Sequence, residues 1–123
     1  MSIKERIREL TRRTRGISIE RMVGKLRTCM LGWRGYFGFC ETLATLRDLD
    51  RWTRRRLHCV LWKQWKRGRV RFKELRARGI GKALAAKTAG SAHGPWRLSN
   101  SRALAYALTN AYFDSLGLPA LAP

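Results

Sequence analysis

The chain has 123 residues, 45% hydrophobic and 28% charged, with 27 Lys and Arg against eight acids and a formal net charge of +19. That length bounds it to one domain, or a piece of one, with a modest core, and the hydrophobic share with five tryptophans excludes a disordered basic tail. Self-repulsion of this size opposes compaction, so an anionic partner is expected, and a pI near 11.6 fits the footprint of a nucleic-acid binder.

The charge is uneven. Residues 1–40 carry ten Lys and Arg against three acids, 41–79 thirteen against four, and 80–123 four against one. The binding surface is therefore expected in the first two thirds, with the last third as scaffold. Met1–Arg15 is charged throughout, which excludes a signal peptide there, and Met1 before a helix cap fits a start codon. No apolar run approaches the roughly 18 residues of a membrane span, so no membrane partner is expected. Cys29, Cys40 and Cys59 form no CxxC pair. They point to buried free thiols in a reducing cytoplasm rather than to a disulfide framework or a zinc knuckle.

Ser2 with Glu5 has the form of a capping box. Ile3, Ile7 and Leu10 then predict a helix to about Thr14, closed by Gly16. Ser18 can cap a second helix, in which Ile19, Met22, Val23, Leu26, Met30, Trp33 and Phe37 keep a 3-4 spacing up to a break at Gly38. Gly24, Gly32 and Gly35 each cost about 1 kcal/mol there and would admit a neighbouring helix or a phosphate backbone. Residues 39–45 form a connection, with Thr42 and Thr45 as candidate caps.

The central helix runs from Leu46 to Lys66 and carries two faces. At about 100° per residue, Leu46, Leu49, Thr53, Leu57, Val60, Leu61 and Gln64 make one apolar side. The opposite arc collects Arg47, Arg51, Arg54, Arg55 and His58, and Trp62 and Trp65 continue it. Lys63, Lys66 and Arg67 extend the basic surface, and Gly68 is expected to close the helix. Cations suit phosphates and aromatic faces suit unstacked bases; a solvated basic face with rings packed on neighbours is the alternative. Arg56 lies about 60° from the centre of the apolar stripe, so its expected role is stability. Short helices follow, ending at Gly79 and at Gly90. Gly90–Pro95 is a loop, Ser99 or Ser101 caps a helix through Leu108, and Tyr112, Phe113 and Leu116 mark a last one stopped at Gly117. With no period-2 segment, the class is all-α: two or three longer helices in a bundle over 1–68, then short helices over 69–123.

Catalytic patterns are missing from the sequence. Asp48 and Asp50 point about 160° apart on a helix and cannot share one metal ion, so pairing with arginines at i±3 or i±4 is expected. His58 and His93 have no carboxylate or thiol at a ligand spacing, and no phosphate-cradling or nucleophile motif occurs. No metal, cofactor or catalytic residue is assigned. In LGWRGYFG, Trp33 and Phe37 share the apolar stripe and read as core, whereas Arg34 and Tyr36 lie off it and can reach a partner.

Taken together, the Ser18–Arg21 segment, LGWRGYFGF, LRDLDRWTRRRL and WKQWKRG resemble the maturase-specific region of group II intron reverse transcriptases. The resemblance continues through RFKELRARGIG, HGPWRLS and NAYFDSLGL. It implies an α-helical thumb, or domain X, which grips folded intron RNA. The family's Tyr-x-Asp-Asp polymerase motif and the clustered Cys and His of its zinc endonuclease do not occur here. The leading expectation is a non-catalytic module that binds group II intron RNA and assists splicing. A detached thumb serving a separately encoded reverse transcriptase domain is the alternative. A DNA-binding transcription domain is a third reading, which a central helix of about 21 residues suits poorly.

Overall fold

The computed structural model describes residues 2–12 and 16–123. Among these there are eight α-helices and no strand: α1 (Ile3–Leu10), α2 (Ile19–Phe37), α3 (Leu43–Trp65), α4 (Gly68–Ala77), α5 (Lys82–Ala89), α6 (Pro95–Leu98), α7 (Arg102–Ala107) and α8 (Asn110–Ser115). A 3₁₀ turn over Gly38–Cys40 makes the elbow between α2 and α3.

Short polar side chains start the helices as their chemistry requires. The hydroxyls of Ser2, Ser18, Thr42, Ser101 and Thr109 each accept the N–H three residues on, at 3.1–3.4 Å. Thr42 rather than Thr45 begins the central helix, which therefore starts three residues earlier than its apolar pattern suggests. At α1 the helix stops at Leu10, because Thr11 caps it and turns its hydroxyl back to the Ile7 carbonyl at 2.8 Å. The rest of the extension toward Thr14 falls on residues outside those described. Gly79 (φ +88°) and Gly117 (φ +97°) terminate α4 and α8 in left-handed conformations. The next residues, Ile80 and Leu118, are buried and donate back to Leu75 and Phe113 at 3.1 Å.

Gly68 does not close α3. Lys66 does, at φ +51°, and Gly68 opens α4 instead. A Cβ on Gly68 would stand 3.2 Å from the Ala89 carbonyl oxygen, so its lack of a side chain lets α4 start against the end of α5. By contrast, a Cβ at Gly24, Gly32 or Gly35 meets nothing within 4 Å. No neighbouring helix uses those three positions among the described residues.

A single apolar cluster runs from Ile3 and Ile7 of α1 through Met22, Leu26 and Met30 of α2 and Leu57, Val60 and Leu61 of α3 to Leu104, Phe113 and Leu121. The α3 stripe is inside as its spacing predicts, with Leu49 and Gln64 half-buried. Asp50 departs from expectation. It is buried, and its carboxylate accepts the N–H groups of Leu121 and Ala122 at 2.8–3.1 Å instead of pairing with an arginine. Asp48 does pair with Arg51. Arg27 and Arg34 hold the same tail through the carbonyls of Gly117 (3.0 Å) and Ala120 (2.8 Å). The last residues thus complete the core rather than trail from it.

The cysteines are free: Cys59 is buried and Cys29 half-buried, but Cys40 is exposed because it sits on the elbow turn. Among the described residues, no helix is long and apolar enough to cross a membrane, and no group of three or more Cys, His, Asp or Glu could hold a metal ion.

Candidate nucleic-acid interface

The basic arc of α3 changes character along its length. Arg47 is exposed, and Arg51 is exposed apart from its contact with Asp48. One turn further on, α6–α8 cover the helix and the cations turn inward. Arg54 faces Asp114 at 3.5 Å. Arg55 stacks on the Trp96 ring at 3.9 Å, and donates to Ser99 Oγ (3.0 Å) and the Trp96 carbonyl (2.8 Å). His58 lies between two carbonyls, with Nδ1 3.0 Å from Ser99 O and Nε2 2.9 Å from Leu108 O, and its ring stacks on Phe113. Burial lowers its pKa, the two carbonyl acceptors oppose that, and Arg54 reinforces it. His58 is therefore a tie between α3 and the C-terminal helices as well as part of the basic arc.

Between these side chains and the Ser99–Ser101 turn lies an open cleft of about 410 Å³, lined by Arg51, Arg54, Arg55 and His58 and, opposite, by Asn100 and Asn110. Four of the predicted residues are thus brought together. Arg47 stands outside the cleft lining, nearer the helix start. Lys63, Lys66 and Arg67 are exposed at the other end, and Lys63 joins Arg8, Arg12 and Arg56 around a smaller hollow of about 210 Å³. There Arg56 donates to Thr11 Oγ1 (3.0 Å) and the Arg8 carbonyl (3.2 Å), so it ties α3 to α1. Burial lowers its pKa, and the nearby guanidinium groups of Arg8 and Arg12 add to that.

Trp62 and Trp65 require a correction. They do not extend the arc to solvent: Trp62 is 0% exposed and Trp65 is buried. An arginine of α4 and the arginine that caps its end cover them. Arg71 lies 4.5 Å above the Trp62 ring and donates twice to the Trp62 carbonyl, and Arg78 lies 5.0 Å from the Trp65 ring. Neither indole can stack on a base in this arrangement. The signal was hidden because the cover comes from guanidinium groups of a later segment, Arg71 and Arg78, where aliphatic side chains would normally supply it.

The elbow is the reverse case. Trp33 is half-buried, but Phe37, expected in the core, is 54% exposed, alongside Tyr36 at 77% and Phe39 at 84%. Phe37 is the last residue of α2, where the chain turns away and no element covers its ring. Arg34 is exposed but committed to the Ala120 carbonyl. Sequence reasoning also missed Trp96, Asn100 and Asn110, which reach α3 from more than 40 residues away. Arg8 and Arg12, on the basic side of the first helix, were legible from the sequence as candidate phosphate contacts, and both line the smaller hollow.

The family model for the group II intron, maturase-specific domain matches residues 1–79. A comparison with curated proteins finds no match.

Proposed function

The chain belongs to the group II intron maturase-specific domain family, and from that premise we propose that it binds group II intron RNA and assists its folding and splicing without catalysing a reaction. The observation that carries this reading is the charge left unneutralised. Among the described residues the ion pairs are Arg6–Glu9, Arg51–Asp48, Arg54–Asp114 and Arg78–Glu74, against a net charge of +19. Arg47, Lys63, Lys66 and Arg67 stay exposed along and beyond α3, a helix anchored on both sides by Arg56 and by the Arg55–His58 ties. Such a rigid row can neutralise several phosphates at once and lower the cost of a compact RNA fold. Because the helix beneath it is anchored, the row favours an RNA whose backbone presents phosphates at a matching spacing.

The test is a binding titration at several salt concentrations. Folded intron RNA is expected to compete better than duplex DNA of equal phosphate content, since charge alone does not distinguish them. Equal affinity would overturn the reading. The purified chain is also expected to incorporate no nucleotide on a primed template, because the two-metal carboxylate site of a polymerase has no counterpart in its sequence. Template-dependent extension by chain freed of contaminating polymerases would defeat that part.

The exposed elbow favours a second reading, in which the chain docks on a separately encoded reverse transcriptase domain. Tyr36, Phe37 and Phe39 present an apolar surface beside a hollow of about 440 Å³ that Leu43, Leu46 and Leu121 help to line. Gel filtration of the chain mixed with a purified polymerase domain of the family tests it. Co-elution lost on Phe39→Ser supports docking, and independent elution of the two chains rejects it.

A further inference from the structure

The cleft along α3 has walls of two chemistries, and it suits a ligand more specific than a run of phosphates. Its cationic wall belongs to the segment matched by the family, whereas Asn100 and Asn110 belong to the unmatched remainder. The volume, about 410 Å³, lies within the range of about 300–1,000 Å³ typical of small-ligand clefts, with room for one nucleotide.

Arg54 is weakly paired although its side chain is only 16% exposed, and its buried Nε has no hydrogen-bond partner. Its 3.5 Å separation from Asp114 exceeds the roughly 2.7–2.9 Å of a strong charge-assisted hydrogen bond. Asp114 is itself mostly exposed, so a phosphate can displace it at small cost. Arg51 is open to solvent beyond its contact with Asp48. Opposite them, the side-chain amides of Asn100 and Asn110 have no protein partner among the described residues. Each amide offers a donor and an acceptor side by side, the pairing that reads the edge of an unpaired base.

We propose that this cleft seats one unstacked nucleotide of a single-stranded RNA segment, its phosphate on Arg51 and Arg54 and its base edge on Asn100 and Asn110. The proposal rests on the RNA-binding reading above and names the element that reading leaves open. Arg55 and His58 act as positioning residues, since Arg55 holds the Ser99 hydroxyl and the single N–H of the neutral His58 ring donates to either the Ser99 or the Leu108 carbonyl of the opposite wall.

Two variants test it. Ala105 lies exposed on the cleft wall, so Ala105→Trp fills the space without altering any charge. Asp114→Asn removes the carboxylate that competes for Arg54. In fluorescence anisotropy with a short labelled single-stranded RNA, Ala105→Trp is expected to weaken binding about tenfold, the effect of one lost base contact, and to leave duplex RNA unaffected. Asp114→Asn is expected to tighten the single strand by about threefold and the duplex by less. Thermal melts identify a variant that fails to fold, and a gain in affinity cannot arise from unfolding. Unchanged single-strand binding by folded Ala105→Trp, or equal tightening of both RNAs by Asp114→Asn, overturns the cleft assignment. If Arg47→Ala still flattens the salt dependence in that case, the RNA-binding reading survives. Adenosine monophosphate and inorganic phosphate serve as competitors at equal concentration. Neither is expected to displace the RNA, and displacement by the mononucleotide would make this a free-nucleotide site and reject the proposal.

Discussion

Two aromatic groups sit less than 30 residues apart in sequence and have exchanged their expected roles. Trp62 and Trp65 lie on the cationic arc of α3, yet both are buried; Phe37 continues the apolar stripe of α2, yet with Tyr36 and Phe39 it faces solvent. The difference is what comes next in the chain. After Trp65 the chain turns at Lys66, and α4 with its C-cap lays Arg71 and Arg78 across the two indoles. After Phe37 it turns away through the 3₁₀ elbow and nothing covers the rings. Helical spacing tells which side chains share a face. Whether that face is covered depends on elements further along.

The contrast breaks most easily at its centre. Trp62→Ala is expected to cost about 3–5 kcal/mol, since a fully buried indole leaves a cavity, whereas Phe39→Ala should stay within about 0.5 kcal/mol. Urea unfolding of both variants measures this, and equal losses would show that the elbow is as much core as α3. The cover itself comes next. Arg71→Ala removes two hydrogen bonds to the Trp62 carbonyl and a cation held over the ring, for a loss of about 1–2 kcal/mol. An unchanged unfolding midpoint would mean that Trp62 needs no lid.

A smaller effect separates arginines proposed to bind RNA from those that brace the fold. Arg56→Ala should lower stability by about 1 kcal/mol through its lost bonds to Thr11 and Arg8. Arg47→Ala should leave stability alone and reduce the slope of log affinity against log salt by about 0.7–0.9. Thermal melts beside salt-dependent titrations distinguish the two, and a reversed pattern would exchange their assignments.

The smallest effect concerns His58. Burial holds its pKa below the ordinary value, so the folded state keeps the ring neutral at a pH where the unfolded chain already binds a proton. The contribution is fully present above about pH 6.5 and is lost as pH falls through the lower folded-state pKa. Unfolding midpoints near pH 7 and pH 5 should differ less in His58→Gln than in the parent. An identical pH dependence in both would place the titration elsewhere.

The helices themselves were legible because their signals are local. Ser18, Thr42 and Ser101 cap where short polar side chains precede apolar runs, and Gly79, Gly90 and Gly117 end helices as expected. The cationic wall of the cleft was legible for the same reason, since Arg51, Arg54, Arg55 and His58 share one arc of one helix. Its opposite wall was not, because Asn100 and Asn110 gain meaning only from the return of the chain onto α3. Asp50 is the clearest case. In sequence it is one acid between leucine and arginine, and its partners are backbone amides that no side-chain pattern encodes.

That same carboxylate bears on how the molecule is made. Asp50 and Leu121 are 71 positions apart, so the contact closes a long loop and is reached late in folding. A ribosome adds about 5–20 residues per second, and for several seconds α3 exists without the amides that Asp50 will accept or the leucines, Leu118 and Leu121, that seal the core beside it. During synthesis the nascent chain therefore carries an unsealed apolar flank beside an acid that only water yet satisfies. Its exposure to aggregation is greatest then, and falls once Leu118 and Leu121 are packed.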